Sequence, residues 1–305
     1  MPGFDNILQF LIPGLALGAL YAVSGTALVV LYRTTGVLNF ALGAIGAFGV
    51  HIAWQLSVGP GLLGIKTGPW LAYLTGVVFC AAISVFYGRF LAPVFAQRDP
   101  LTRALGTLGI LLICLGVMTW RWRTQDARSL TLPMKSWKHQ LGDFRLNGTQ
   151  LAALLFGISM TVGVATYLRK SAMGTAMRAV ANDRDVAALL GIPVRRVESL
   201  AWLFNGVICG VVGLFISDLQ NNMVATGLTF FVIPALAAAV VGRLVGLWAT
   251  FAGGLAIGVI EVEASGFSTK IVSDYRSMVP FLIGIGALIW QARKRTIVLS
   301  GRAMQ

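Results

Sequence analysis

The sequence predicts an all-α polytopic membrane protein with about nine transmembrane segments, within a range of 8–10. The chain of 305 residues is 57% hydrophobic and only 11% charged, and its mean hydropathy is +0.80. A soluble domain carries about 25% charged residues, so this composition is typical of a protein embedded in lipid. Several apolar runs also approach or exceed the roughly 20 residues that a helix needs to cross hydrocarbon.

The apolar runs divide the chain into nine predicted spans, joined by polar connections that are too short to form a soluble domain. In chain order the spans cover about 7–31, 36–57, 69–96, 103–122, 150–168, 199–217, 227–242, 246–262 and 277–292. The residues 1–305 are therefore expected to form a single transmembrane domain. The stretch 227–264 and the long first run can each be divided differently, which leaves the number of crossings open.

The distribution of lysine and arginine predicts the orientation of these spans, because cytoplasmic loops carry an excess of both residues. With the N-terminus outside, Arg33, Arg103, Arg243 and Arg293 all fall on the inner side, and most acidic residues fall outside. This bias predicts a multi-pass protein with a cytoplasmic C-terminus. The loop 123–148 is also basic but is placed outside, and its role is left open.

Two weak patterns concern the packing of the spans. Pairs of glycines four residues apart, such as Gly14 and Gly18, permit close helix contact in lipid, although 36 glycines also produce such pairs by chance. The triplet Leu38-Asn39-Phe40 opens the second span, and Leu228-Thr229-Phe230 opens the seventh. These two spans cross in opposite directions in the predicted topology, so an inverted repeat is possible.

The sequence lacks the residue constellations that enzymes need. It has two histidines that are far apart, no G-x-x-x-x-G-K-[ST] loop for nucleotide phosphates, and neither of the hydrolase motifs H-E-x-x-H and G-x-S-x-G. The three cysteines lie in apolar runs. We therefore expect no catalytic residues, no metal and no cofactor in this chain. The net charge of +13 is attributed to membrane loops and not to nucleic-acid binding.

Polar residues inside apolar spans suggest a path for a solute, because burying them costs free energy. Asn39 is either a path residue or a cap at a helix break, and Asn205 either lines the path or bridges two helices. Tyr21 and Ser24 lie three residues apart on one helix face and either meet a polar solute or are structural. Glu261 and Glu263 follow an apolar span at its predicted outer end, where they form either a solvated rim, which is favoured, or a proton relay.

A charged segment at about 171–198 separates the fifth and sixth spans. Its residues 175–191 favour one helix that ends at Gly191, with Pro193 just beyond. The candidate contact residues on this segment are Arg178, Asp183, Arg184, Asp185, Ala187 and Gly191. The segment is either an amphipathic helix on the membrane surface or a docking helix for a soluble partner.

Four stretches in order along the chain carry a family resemblance. They are Gly18-Ala19-Leu20-Tyr21-Ala22-Val23-Ser24-Gly25, Leu38-Asn39-Phe40-Ala41-Leu42-Gly43, the region from Met177 to Ile192, and Gly253-Gly254-Leu255-Ala256-Ile257-Gly258-Val259-Ile260-Glu261. In these stretches the chain resembles the permeases of branched-chain amino acid ABC importers, and specifically their H-type subunit. Leu42 stands where the family usually has histidine, and Ala44 where an acidic residue is common.

The resemblance implies a permease subunit in the bacterial plasma (inner) membrane. Such a subunit pairs with a second, paralogous permease and rests on two nucleotide-binding ATPase subunits that bind ATP and Mg²⁺. An extracytoplasmic solute-binding protein delivers the solute. The segment 171–198 would be the coupling segment that contacts the ATPase. Members of this family also move urea, short amides and organic acids, so the resemblance leaves the solute open between these and branched-chain amino acids.

The alternative is a self-sufficient secondary transporter for a small organic solute. Such a protein needs carboxylates inside the membrane to bind its coupling ion, and Asp and Glu are rare within the predicted spans.

Overall fold

A computed structural model describes residues 4–61, 64–95, 98–122, 128–141, 144–221, 223–265 and 276–302. The structure is built from helices, and the helices in chain order are α1 (Phe4–Thr35), α2 (Leu42–Ser57), α3 (Pro69–Phe86), α4 (Ala92–Phe95), α5 (Pro100–Trp122), α6 (Gly148–Lys170), α7 (Ala172–Asn182), α8 (Arg184–Leu189), α9 (Val194–Gln220), α10 (Ala225–Thr229), α11 (Val232–Val241), α12 (Leu247–Ser265) and α13 (Val279–Arg302). A π-helical turn, Tyr87–Leu91, joins α3 to α4, and two 3-10 turns lie at Pro133–Ser136 and Arg276–Met278.

Six of the helical stretches described are long and apolar enough to cross a membrane. They are Phe10–Thr35, Pro69–Phe95, Pro100–Trp122, Gly148–Lys170, Val194–Gln220 and Leu247–Ser265. Three shorter apolar stretches, Leu42–Ser57, Ala225–Val241 and Val279–Arg293, have 10–17 residues each. These nine stretches fall on the nine predicted spans. The all-α membrane architecture is confirmed, whereas the number of crossings stays a prediction.

Helix α1 is the centre of the bundle, because 89% of its most apolar stretch is buried. It packs against α12 through glycines on both helices. A Cβ atom added at Gly18 would lie 2.8 Å from the Cα of Leu255 and 2.9 Å from the carbonyl oxygen of Gly254. Only a residue without a side chain permits this backbone approach, which maximises van der Waals contact in lipid.

Helix α2 is enclosed by α3, α9 and α10, again at glycines. The Cβ position of Gly213 on α9 is 2.8 Å from the carbonyl oxygen of Gly46 on α2, and that of Gly43 would overlap the backbone of Thr229. The two segments with similar triplets, at 38–40 and 228–230, therefore lie close together at the N-terminal ends of α2 and α11. The inverted repeat itself stays a prediction.

The bundle has two different ends. One, which we call the basic end, holds Arg33 at the end of α1, Arg103 on α5, Arg184 on α8 and Arg243 after α11, which all line one cavity. The other, which we call the loop end, carries the connections at 58–68, 128–147 and 221–224. The structure thus brings the predicted inner loops together at one end of the molecule.

The basic loop at 123–148 contains a hairpin that the sequence pattern did not predict. Strand β1 (Lys138–Leu141) pairs antiparallel with β2 (Phe144–Asn147), and Lys138 lies opposite Asn147. Asn147 then caps α6, since its side chain accepts a hydrogen bond from the Thr149 N–H and Gln150 reaches back to the Asn147 N–H. The hairpin therefore leads directly into a membrane helix.

Candidate functional site

Asn39 lies in an extended break between α1 and α2. Its Oδ1 accepts a hydrogen bond from the Ala41 N–H at 3.0 Å, and its Nδ2 donates to Oδ1 of Asn205 at 2.7 Å. Both side chains are almost fully buried. Asn39 therefore serves as a local cap and as a bridge to α9 at the same time. The two residues predicted for a path are in direct contact, and whether a solute meets them stays a prediction.

Thr107 on α5 fixes this break from the other side. Its hydroxyl donates to the carbonyl oxygen of Leu38 at 2.9 Å and accepts from the Phe40 N–H at 3.2 Å. The Leu38 carbonyl and the Phe40 N–H of the break are thus satisfied by one side chain, as irregular backbone inside a membrane protein requires. Sequence reasoning missed Thr107, because a threonine in an apolar run gives no signal of a partner 67 residues away.

The bridge leaves one hydrogen-bond donor unused. Within the part of the chain that the structure describes, the Nδ2 of Asn205 is buried without a partner. The thiol of Cys209, one turn further along α9, lies 3.6 Å from the Oδ1 of Asn205. The interior therefore holds a small polar cluster with unused hydrogen-bonding capacity.

Tyr21 and Ser24, the other two predicted path residues, also lie in the packed interior. The hydroxyl of Tyr21 donates to Oε2 of Glu261 on α12 at 2.7 Å, and its ring centroid lies 5.0 Å from that of Phe231. The hydroxyl of Ser24 is buried, and the described residues offer it no hydrogen-bond partner. The carboxylate of Glu261 is only partly buried and contacts a residue of the central helix, and its place on a solvated rim stays a prediction.

The charged segment is folded as two helices and not as the single predicted helix. Ser171 caps α7 by accepting the Gly174 N–H at 2.8 Å. Asp183 breaks the segment with an extended backbone (φ −153°, ψ 113°) and caps α8 by accepting the N–H groups of Asp185 and Val186, each at 3.0 Å. An aspartate is a strong N-cap, so a new helix starts there. The predicted stop at Gly191 is present, with φ +80°.

The two helices are anchored on one side and exposed on the other. Met177, Val180 and Ala187 are buried in a cluster that includes residues of α9. By contrast, Leu189 is 87% exposed and Leu190 is 75% exposed. The predicted apolar side is therefore divided, and an apolar edge at the end of α8 is left uncovered.

The predicted contact residues lie on the outer surface of this segment, except Ala187, which is buried. Arg184 is joined to the next membrane helix, since its Nε donates to Oε1 of Glu198 on α9 at 2.8 Å. This hydrogen bond raises the pKa of the Arg184 guanidinium. Arg178 donates to the hydroxyl of Thr175 at 3.1 Å, and Asp185 is exposed. A Cβ atom added at Gly191 would meet none of the described residues within 4 Å.

Comparison with known proteins decides the family. The family model described as branched-chain amino acid transport system / permease component matches residues 10–288. The chain belongs to this permease family. It is 25% identical to the high-affinity branched-chain amino acid transport system permease protein LivH of Escherichia coli, over 94% of each chain. It is 24% identical to BraD of Pseudomonas aeruginosa, with 95% and 96% covered, and 27% identical to a probable LivH of Methanocaldococcus jannaschii, with 90% of each covered.

The family confirms the resemblance that the four sequence stretches carry. It establishes a transport permease with several apolar helices, and it gives the chain a role in transport and not in catalysis.

Proposed function

We propose that this chain is the permease subunit of an ATP-driven ABC importer, which forms the translocation path and couples it to separate ATPase subunits. The observation that carries this proposal is the exposed apolar edge of α8, with Leu189 and Leu190 beside charged side chains. A short amphipathic helix that leaves two leucines uncovered is suited to a groove in a soluble partner. The basic end of the bundle is then the cytoplasmic end, which also makes the C-terminus cytoplasmic.

A continuous set of contacts connects this surface with the interior. The hydrogen bond between Arg184 and Glu198 joins α8 to the start of α9. The bond between Asn205 and Asn39 joins α9 to the break before α2. Under this proposal, a displacement of α8 by an ATPase is passed through these contacts to α9 and to the buried asparagine bridge.

The energy source lies in the partners under this proposal. The chain has no phosphate-binding loop, so ATP and Mg²⁺ are bound by two nucleotide-binding subunits. The remaining partners are a second, paralogous permease and an extracytoplasmic solute-binding protein, in a bacterial plasma membrane.

The solute is a small polar or amphipathic molecule, such as a branched-chain amino acid, an amide, urea or an organic acid. The related permeases carry branched-chain amino acid transport in their names. The buried hydroxyls of Tyr21 and Ser24 and the amides of Asn39 and Asn205 supply the polar groups that such a solute needs.

The test is co-expression of this chain with the nucleotide-binding subunits of its own host, followed by purification and ATPase assays in liposomes. We expect Leu189→Asp to reduce ATPase retention and permease-dependent hydrolysis at least ~10-fold, because it places a charge in an apolar contact. Leu101→Asp is the matched control: Leu101 is 68% exposed at the start of α5, outside α8. Equal retention for both variants would refute the assignment of α8.

The secondary transporter stays the alternative, and the carboxylate of Glu261 beside Tyr21 is the observation in its favour. The same liposomes separate the two proposals. Solute flux without ATP and without nucleotide-binding subunits would establish the alternative, whereas flux that requires both supports the importer.

A further inference from the structure

A cavity of about 990 Å³ opens at the basic end of the bundle. Its wall comes from elements that are far apart in sequence: the end of α1, the start of α5, the α7–α8 segment, the turn after α11, and α13. The cavity lies outside the buried Asn39–Asn205 bridge, and neither asparagine lines it. It is therefore a feature separate from the predicted path residues.

The cavity wall is strongly positive. Among the described residues that line it, four are arginines (Arg33, Arg103, Arg184 and Arg243) and none is acidic. Within the described residues, only Arg184 of these four has a carboxylate within 4 Å, that of Glu198. Arg33 and Arg103 donate to the backbone carbonyl groups of Val245 and Arg98, which do not neutralise their charge.

The turn that carries Arg243 has an unusual backbone. Arg243 has φ +58° and Leu244 has φ +55°, a region that residues with side chains rarely adopt. The turn is held by hydrogen bonds from the Leu244 N–H to the Ala239 carbonyl and from the Gly246 N–H to the Gly242 carbonyl, both at 2.9 Å. Backbone outliers of this kind concentrate at functional sites. Here the strained turn places a third arginine without an acidic partner on the wall of the cavity.

We propose that this cavity is a binding site for an oxyanion, a carboxylate or a phosphate group, held by Arg33, Arg103 and Arg243. The planar guanidinium group donates two parallel hydrogen bonds to such groups, so several arginines around one cavity select oxyanions over neutral solutes. A bound anion also relieves the mutual repulsion of the cationic wall.

Two sources can supply this anion. If the proposed import function holds, the source is the carboxylate of the solute as it leaves the bundle. The other source is the phosphate of an anionic lipid, which reaches the same end of the helices. Both present the same chemistry to the arginines, and the experiment below distinguishes them.

The test measures binding of succinate to the purified full-length chain in phosphatidylcholine nanodiscs by isothermal titration. Succinamide, which has a similar shape but no charge, is the reference ligand. We expect succinate to bind and succinamide to bind at least ~10-fold more weakly. The double variant Arg103→Gln/Arg243→Gln is expected to weaken succinate binding by at least ~10-fold, since each lost charged hydrogen bond is worth about a factor of ten.

The matched control is Arg121→Gln/Arg169→Gln, which removes the same two charges at positions that do not line the cavity. It should bind succinate within twofold of the parent. Arg103→Lys, which keeps the charge but loses the planar group, should give an intermediate loss and reports on the site even if the double variant is unstable.

A second set of nanodiscs that contain phosphatidylglycerol identifies the source. Loss of succinate binding there shows that lipid phosphate occupies the site, and unchanged binding points to the solute. Equal binding of succinate and succinamide, or the same loss in the control pair, would overturn the proposal. The assay needs neither ATP nor an ATPase, so its failure is distinct from failure of the importer proposal.

Discussion

The two ends of this bundle differ in whether their charged side chains are paired and in whether their apolar side chains are buried. At the loop end, Lys135 reaches Asp218, which is fully buried, with 3.2 Å between the Lys135 Nζ and the Asp218 Oδ1. Leu130 and Leu132 from the same loop are buried in the core. At the basic end, three cavity-lining arginines have no carboxylate partner among the described residues, and two leucines of α8 are exposed.

This difference shows that the structure is closed at one end and open at the other. Further hydrogen bonds close the loop end, from Trp122 to Gln55 at 2.8 Å and from the hydroxyl of Tyr73 to the Thr131 carbonyl at 3.0 Å. Under the proposed topology, the closed end faces the exterior and the cavity faces the cytoplasm. Under that topology, transport requires the loop end to open.

The largest loss of stability is expected at the contact between α1 and α12, because both ends of the bundle depend on this packing. Gly18→Leu should prevent stable assembly, because its Cβ would lie 2.8 Å from the backbone of α12, where no side chain can move aside. Gly116→Leu on α5 is the control, since a Cβ there meets nothing within 4 Å. Size-exclusion profiles after detergent extraction measure the difference. A monodisperse size-exclusion profile of the Gly18→Leu variant would disprove the close packing of α1 against α12.

The second prediction concerns the closed end. Lys135→Ala should destabilise the protein by about 3 kcal/mol, because it leaves the buried Asp218 carboxylate without its cation. Asp218 also accepts the Leu132 N–H at 3.1 Å, so the loop should detach and become sensitive to protease. Lys138→Ala is the control, since the Lys138 side chain at the start of β1 is exposed. The readouts are thermal unfolding and limited proteolysis of the loop, and identical cleavage of the two variants contradicts the role of Lys135.

The membrane helices were predictable from the sequence, because apolar runs alone set their positions. The contacts between distant residues were not. Nothing local indicates that Tyr21 meets Glu261 or that Thr107 holds the break at Leu38. The basic loop gave no sign that Leu130 and Leu132 enter the core, since two leucines in a polar stretch carry no periodicity.

The sequence did contain a signal for the division of the charged segment into two helices, which the prediction of a single helix did not use. Asp183 follows Asn182, and aspartate favours the N-cap position over the middle of a helix. The candidate residues Asn39 and Asn205 were found because amides in apolar runs are costly, but their mutual contact required the fold.

The third prediction tests the interior that connects the two ends. Asn205→Leu should cost about 2 kcal/mol, because the buried amide of Asn39 then lacks its acceptor. The double variant Asn39→Leu/Asn205→Leu should cost less than the sum of the single changes, since it removes both partners of the bond. Solute transport should fall in each variant while the ATPase stays bound. Additive stability losses in a double-mutant cycle would show that the two amides act independently.

The smallest effect on stability is expected at the open end, where Arg184 meets Glu198. The Arg184 side chain is 49% exposed, so Arg184→Gln should change the free energy of unfolding by only about 0.5 kcal/mol. Its effect on coupling should be larger, because this pair joins α8 to α9. We expect ATP hydrolysis to continue while the amount of solute transported per ATP falls several-fold.

Two further variants test this explanation. The reversed pair Arg184→Glu/Glu198→Arg should restore part of the transport. Arg178→Gln, which loses only a contact with Thr175, should leave the ratio of transport to ATP hydrolysis unchanged. If Arg178→Gln and Arg184→Gln lower this ratio equally, the charge of the segment matters and the connection to α9 does not.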